Sequence, residues 1–72
     1  MRQDHLIVVA PIAGGWRVAL DDLEPMMFLS GRRAEAHARA LAKRLAVVGG
    51  EARLMIHDRS YALIGAQLYL AD

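Results

Sequence analysis

The chain has 72 residues and no cysteine, which leaves room for one domain with one core and excludes disulfides and thiolate metal sites. Nine Lys and Arg residues against eight Asp and Glu residues give a formal net charge of +1, so no global field draws the protein to nucleic acid or to an anionic membrane. Hydrophobic residues make up 56% of the chain, more than a monomer of this size is expected to hide.

The first part of the chain is predicted to form strands. Residues 5–10 are apolar and rich in β-branched side chains, and they end at Pro11, which predicts a strand stopped by proline. A turn with two glycines follows. The alternation over residues 16–20 then predicts a second strand, paired with the first as a hairpin. After an acidic turn, residues 26–29 are predicted to form a short third strand.

The strongest pattern in the chain predicts a helix. Ser30 is a suitable N-cap, and Gly49 and Gly50 supply a left-handed stop at the far end. Between them, apolar residues recur at spacings of three and four and form one stripe of Ala34, Ala38, Leu41, Leu45 and Val48. This pattern predicts a helix of about five turns.

The chain after the helix is predicted to form two more strands. Residues 51–58 alternate as a half-buried strand does, and residues 61–70 are apolar enough for a last strand with a bulge at Gly65. The order β-β-(β)-α-β-β predicts a single α+β domain over residues 1–72. We expect a small antiparallel sheet of four or five strands with one helix packed on one face. The apolar run Leu6–Ala10 is too short for a signal peptide or a membrane span, so we expect a cytoplasmic protein.

Covering such a sheet with one helix leaves part of it bare. A helix is about 10 Å across and strands lie about 4.8 Å apart, so one helix covers roughly two strands. We therefore predict a homodimer, packed through the bare sheet or by strand exchange at its ends. Whether the last strand completes its own sheet or that of a partner stays open. The predicted dimer or partner contacts are Trp16, Met27, Phe28, Leu68, Tyr69 and Leu70.

Four stretches give the chain a family resemblance. They are Val9-Ala10-Pro11, Gly14-Gly15-Trp16-Arg17-Val18, Ala34 to Lys43, and Leu54-Met55-Ile56-His57-Asp58-Arg59. On these stretches the chain resembles a family of short, uncharacterised bacterial domains that are catalogued only as a domain of unknown function. The resemblance implies the same fold and brings no known activity. Members tend to carry Asp-Gly in the last hairpin, where this chain has Asp58-Arg59-Ser60-Tyr61.

Basic side chains on the predicted helix suggest one alternative function, which is weak nucleic-acid binding. A basic stripe can follow a phosphate backbone, with binding that falls steeply with salt. The competing interpretation is a solvated outer face with a ladder of Arg32, Glu35 and Arg39. No aromatic residue is interleaved with these side chains to stack on bases. The candidate contacts are Arg32, Arg33, Arg39, Lys43 and Arg44.

Catalytic and metal sites are not predicted. The three histidines, His5, His37 and His57, lack the spacing of helical metal ligands. His57 and Asp58 could form a base and its orienting carboxylate, but the only serines lie at a predicted cap and a predicted turn, so no nucleophile is evident. We expect no enzyme and no cofactor. The function expected from the sequence is a non-enzymatic accessory or interaction module that acts as a homodimer, with its own copy or another protein as partner.

Overall fold

The computed structural model of the protein describes residues 4–70. Five strands and one helix follow each other along the chain. They are β1 (Asp4–Ile12), β2 (Gly15–Leu20), β3 (Met26–Phe28), α1 (Gly31–Val47), β4 (Glu51–His57) and β5 (Leu63–Leu70). The expected α+β class, the single helix and the order of the elements are confirmed.

The five strands form one mixed sheet in the order β3-β2-β1-β4-β5. Neighbouring strands are antiparallel except for β1 and β4, which run parallel, with Asp4 opposite Glu51 and Val9 opposite Ile56. The expectation of a wholly antiparallel sheet is therefore corrected for this pair. α1 runs back along the sheet between β3 and β4, so β4 starts at the same end as β1. β5 pairs with β4 and completes the chain's own sheet.

Pro11 lies inside β1 and does not stop it, which corrects the predicted end of this strand. Its partner on β2 is Trp16. The Pro11 carbonyl oxygen accepts a hydrogen bond of 2.7 Å from the Tyr61 hydroxyl, which comes from the connection after β4. The backbone N and O atoms of one strand residue point to the same side of the strand. The Pro11 nitrogen, which has no hydrogen to donate, therefore faces away from β2 together with the carbonyl oxygen. The proline therefore leaves the β1–β2 hairpin intact.

The ends of α1 follow the predicted signals. The Ser30 Oγ accepts a hydrogen bond of 3.1 Å from the Arg33 amide, which satisfies one free donor at the start of the helix. At the far end Gly49 adopts a φ of 91°, which glycine reaches without steric cost. The Gly50 amide then donates to the Leu45 carbonyl at 3.1 Å. Both ends of the helix are thus fixed by local hydrogen bonds.

The buried stripe of α1 contains the predicted Ala34 and Ala38, but its other members differ from the prediction. Its buried members are all alanine, namely Ala34, Ala38, Ala42 and Ala46. Leu41 and Leu45 are only partly buried at the margin of the core, and Val48 caps the helix with 80% of its surface exposed. A row of methyl groups lets the helix axis approach the sheet closely, and the longer leucine side chains are then displaced to the side.

The core lies between this alanine row and one face of the sheet. The sheet contributes large apolar side chains from its three central strands, and Ile7 and Leu54 are fully buried. The other face of the sheet carries no helix or strand from residues 4–70. The described part of the chain therefore leaves one face of its sheet without a covering helix or strand. The core side chains of the sheet are Ile7, Val9, Val18, Ala52, Leu54 and Ile56.

Candidate interaction surface

We name the sheet surface that faces away from α1 the open face. Its centre is a row of apolar side chains, one from each of four neighbouring strands. The pairs Val8–Ala19, Val8–Met55 and Met55–Ala66 place these side chains side by side across the sheet. The residue numbers alternate with those of the core, because successive side chains of a strand point to opposite faces. The open face therefore has an apolar centre.

Larger apolar side chains surround this central row. Leu6 and Leu68 lie on one side of it, both paired with Arg53 of β4. Met27 lies on the other side, beside Arg17. These large side chains remain about half exposed, with Leu6 at 45%, Leu68 at 48% and Met27 at 62%. An exposed apolar patch rimmed by polar groups is typical of a protein interaction site.

Charged side chains lie at both ends of the open face. Asp4 and Glu51 pair at the end where β1 and β4 begin. Arg17 pairs with Ala10 near the opposite end of the face, and His57 ends β4 at that same end. Six residues separate Asp4 from Ala10, which corresponds to about 20 Å along a strand. Arg53 follows two residues after Glu51 on the same face, so the end that holds the two carboxylates also holds a positive charge.

The predicted contact residues fall on two different sides of the sheet. Met27, Leu68 and Leu70 lie on the open face, since they pair with Arg17, Arg53 and Glu51. Trp16, Phe28 and Tyr69 lie on the side of α1 and pack against the margin of the core. The Trp16 ring also lies beneath the Arg59 guanidinium, with 5.2 Å between the Arg59 Cζ and the ring centroid. The open face therefore holds three of the six predicted contact residues.

The outer edge of β5 is a second apolar feature. β5 has one strand neighbour, β4, so one of its sides is unpaired within residues 4–70. Its sequence, Leu-Ile-Gly-Ala-Gln-Leu-Tyr-Leu, contains no charge and no proline. The register shift opposite Ile56 and His57 lies beside Gly65, where a bulge was expected. Apart from this bulge, the strand lacks the usual protection of a sheet edge against pairing with another chain.

The basic residues of α1 are dispersed along its outer surface. Arg39 is engaged within the chain, where it donates to Glu35 at 2.7 Å and to the side-chain oxygen of Gln67 on β5. The predicted ladder thus exists between Glu35 and Arg39. The other four basic residues of α1 have no carboxylate partner within residues 4–70. They are Arg32, Arg33, Lys43 and Arg44, and all are exposed.

The three histidines lie apart from one another. His5 bonds Asp21, His37 packs against the Phe28 ring with 5.2 Å between centroids, and His57 lies near the Val9 carbonyl. His5 and His57 are not neighbours, because their strands run parallel and the two residues occupy opposite ends. Within the described part of the chain, no group of three or more potential ligands could hold a metal ion.

Asp21 lies in the turn after β2 and joins this turn to β1 through hydrogen bonds. Its Oδ2 lies 2.7 Å from the His5 Nδ1, and its Oδ1 accepts from the Leu6 amide at 2.7 Å. Burial raises the pKa of Asp21, but the hydrogen bonds from His5 and Leu6 outweigh it and hold the pKa below the usual 3.8. Because the pKa of Asp21 is lower in the folded state than in the unfolded state, its ionised carboxylate stabilises the fold at pH values above the unfolded pKa. This stabilisation is lost as the pH falls through the pKa of the folded state.

We therefore expect Asp21→Asn to lower the urea midpoint of unfolding at pH 7, with a smaller difference from the wild type below about pH 4. Asparagine tolerates the left-handed backbone that Asp21 adopts at a φ of 49°, so the substitution tests the charge rather than the turn. Asp22→Asn, one residue further along the same turn, is the control and should leave the midpoint unchanged. An Asp21→Asn effect that is equal at both pH values would contradict the linkage.

The β4–β5 connection is held by Asp58. Its Oδ1 accepts hydrogen bonds from the Ser60 amide, the Ser60 hydroxyl and the Ala62 amide, at 2.8, 2.7 and 3.0 Å. The Ser60 and Ala62 donors lower the pKa of Asp58. Tyr61 takes a left-handed φ of 64°, a conformation that costs a non-glycine residue about 1–2 kcal/mol. The local hydrogen bonds of Asp58 and the Tyr61 bond to Pro11 oppose this cost.

A shallow cleft of about 270 Å³ lies between α1 and the β2–β3 side of the sheet. Its wall is mostly apolar, and its polar members are Glu24, His37 and Arg44. None of these is a serine, threonine or cysteine nucleophile, so the cleft lacks the pairing of nucleophile and base that acyl transfer requires. The apolar lining comes from Val18, Leu20, Leu23, Met26 and Leu41.

Comparisons with known proteins add no relative. No protein-family model, no curated protein and no solved structure matches the chain. Within residues 4–70, α1 falls short of the length and apolar character that a membrane-crossing helix needs.

Proposed function

We propose that the protein is a non-enzymatic interaction module that acts as a homodimer, with the open face as its contact surface. The observation that supports this proposal is the uncovered apolar face, where Leu6, Met27 and Leu68 stay about half exposed. Burying apolar surface contributes about 25 cal/mol per Å², so a face of this kind favours association. The same proposal includes a cytoplasmic location and a second protein as a possible partner of the module.

Total surface area supports association as well. A folded monomer of 7.9 kDa is expected to expose about 4,400 Å². This chain exposes 5010 Å². The excess is comparable in size to the surface that one partner contributes to a small protein interface, about 600 Å². A second copy that covers the open face would remove the exposed surface of Leu6, Met27 and Leu68 from water.

The test of the homodimer is its solution mass, measured by light scattering over a wide concentration range. We expect twice the 7.9 kDa of one chain. Leu6→Lys should raise the dissociation constant of the dimer at least about tenfold, because it places a charge in the desolvated interface. Its side chain would also lie beside Arg53, its β4 partner.

Leu29→Lys is the matched control for this variant. Leu29 is the most exposed large apolar residue described, at 90%, and it lies between β3 and α1 rather than on the open face. The same change of side chain should there leave the dimer intact. A wild-type protein that stays monomeric at all concentrations would overturn the homodimer, and equal weakening by both variants would remove the open face as its contact surface.

Nucleic-acid binding through α1 stays a second and weaker proposal. The four exposed basic side chains that have no carboxylate partner within residues 4–70 support it, whereas the engagement of Arg39 with Glu35 and Gln67 opposes it. Phosphate binding would weaken steeply with added salt. A dimer formed through the apolar open face would change much less.

A further inference from the structure

The outer edge of β5 presents backbone groups that have no strand partner within residues 4–70. Which residues carry these groups follows from the hydrogen bonds of the neighbouring strands. The Asp21 amide donates to the Leu6 carbonyl at 2.9 Å, so the backbone N and O atoms of Leu6 point to the side of β2. Successive residues of a strand point these atoms to opposite sides, so those of Ile7 point to β4.

The same alternation continues across β4 into β5. In a parallel pair, a residue that points toward its neighbour bonds the two residues beside its opposite, and the opposite residue itself points away. Leu54 lies opposite Ile7, so the backbone N and O atoms of Leu54 point to β5 and meet those of Gln67. The residues of β5 that point outward after Gly65 are therefore Ala66, Leu68 and Leu70.

The outward stretch of β5 is regular and uncharged. Ile56 pairs with Gly65 and His57 pairs with Leu63, so the bulge lies before residue 66. Residues 66–70 then keep a single register with β4, and they contain no charge and no proline. This stretch lacks the charges, prolines and bulges by which sheet edges usually avoid pairing with another strand.

A second copy of β5 fits this edge better than the other edge of the sheet does. β3 has three residues, Met26–Phe28, and is shorter than the outward stretch. Pairing of β5 with β3 is also head-to-tail, so each added copy leaves a free edge on which a filament grows. Two β5 strands pair antiparallel about a two-fold axis instead, and this contact closes after two copies.

We propose that β5 strands of two copies pair antiparallel along residues 66–70, with Leu68 opposite Leu68 of the second copy. This register lets both backbone groups of every outward-pointing residue in the stretch form hydrogen bonds. Two sheets of five strands become one continuous sheet, with both helices on one side and both open faces on the other. The proposal goes beyond the open-face homodimer and does not depend on it, because it uses the backbone edge of β5.

The side chains beside the edge agree with this pairing. Leu68 and Leu70 are about half exposed, at 48% and 54%, and each gains an apolar residue opposite it. The charged residues Arg53 and Glu51 lie one strand further in, opposite Leu68 and Leu70. Charges on the two β4 strands are at least about three strand spacings, or 14 Å, apart. At this distance about 0.1 M salt screens most of their repulsion.

The contact is short, which sets its expected strength. Residues 66–70 span about 17 Å at about 3.3 Å each. A strip of this length buries less surface than a standard interface does. We therefore expect weak pairing, which a disulfide trap detects better than a measurement of mass.

The experiment uses a single cysteine as the trap, since the chain contains none. Residues that exchange backbone hydrogen bonds across an antiparallel pair have Cα atoms about 5.5 Å apart, a distance at which disulfides form. With oxidised glutathione as the oxidant, Leu68→Cys should form a covalent species of two chains at least about tenfold faster than Leu29→Cys, because pairing holds the two thiols together. Denaturing electrophoresis without reductant measures both rates.

Leu29→Cys is the matched control, because Leu29 is 90% exposed and lies outside β5. Ala66→Cys tests the register. Ala66 lies opposite Leu70 in the proposed pair, so the two residues at position 66 are about four residues, or about 13 Å, apart along the strands. Ala66→Cys should therefore crosslink no faster than Leu29→Cys, and fast crosslinking of Ala66→Cys would overturn the register.

Two further substitutions in the Leu68→Cys protein separate the edge from the open face. Ala66→Pro removes an outward-pointing N–H and leaves the hydrogen bonds between β5 and β4 in place. It should lower the rate of crosslinking to that of Leu29→Cys, and circular dichroism checks that this variant is folded. Leu6→Lys, which places a charge on the open face, should leave the rate unchanged.

The outcomes distinguish this proposal from the open-face homodimer. Crosslinking of Leu68→Cys no faster than that of Leu29→Cys overturns the edge pairing and leaves the open-face homodimer standing. Crosslinking that Leu6→Lys abolishes and Ala66→Pro leaves unchanged places the contact on the open face and also overturns the edge pairing. Fast crosslinking of Leu68→Cys that Ala66→Pro abolishes, in a protein that light scattering finds monomeric, supports the edge pairing and overturns the open-face homodimer alone.

Discussion

Replacing Leu54 by alanine is expected to lower the free energy of unfolding by about 2–5 kcal/mol. Leu54 is fully buried and is among the largest side chains of the core. It lies on β4, between Ile7 of β1 and Gln67 of β5. A domain below about 80 residues has only a few kcal/mol of stability from its core, so this variant should be largely unfolded. Urea denaturation followed by circular dichroism measures the loss.

Leu29→Ala is the control for this substitution. It removes the same atoms from a side chain that is 90% exposed, and the expected change is within about 0.5 kcal/mol. If Leu54→Ala were no more destabilising than Leu29→Ala, the placement of Leu54 at the centre of the core would be wrong.

Enlarging Ala38 to leucine is expected to destabilise the fold by about 1–3 kcal/mol. Ala38 is fully buried in the middle of the alanine row that sets the distance between α1 and the sheet. A leucine there would force α1 away from β1 and β4. The expected result is a lower melting temperature, measured by circular dichroism.

Ala40→Leu separates this packing effect from helix propensity. Ala40 lies on the same helix but is exposed, and leucine and alanine have similar helix propensities. The control should therefore melt close to the wild type. Equal melting temperatures for Ala38→Leu and Ala40→Leu would show that the helix does not pack closely on the sheet.

The elements themselves were predictable from the sequence because their signals are local. The Ser30 cap, the glycine stop and the spacing of apolar residues in α1 act within a few residues. The parallel pairing of β1 and β4 joins Asp4 to Glu51, and no local pattern encodes it. The second half of the buried helix stripe was also missed, with Leu41 and Leu45 expected in place of Ala42 and Ala46. Leucine is more apolar than alanine, but the close approach of the helix to the sheet favours alanine.

The open face was predictable only in outline. Alternation shows that Leu6 and Val8 share one side of β1 and that Ile7 and Val9 share the other, but both sets are apolar, so the pattern does not say which side the helix covers. The sequence likewise does not say on which side of β2 and β3 the helix lies, so it could not place Trp16 and Phe28 on the open face or beside the core. Their place beside the core depends on where α1 lies, which is a property of the whole fold.

The parallel β1–β4 pair has a consequence for how the chain reaches its native state. The β1–β2 hairpin can close early, because its strands are adjacent in sequence. The central strand gains its second neighbour only when β4 arrives, and the paired residues Asp4 and Glu51 lie far apart along the chain. On the ribosome, β1 would therefore emerge long before β4, and its apolar side chains would stay without their final cover for most of synthesis. Docking of β4 would then give β1 its second neighbour and end this vulnerable period.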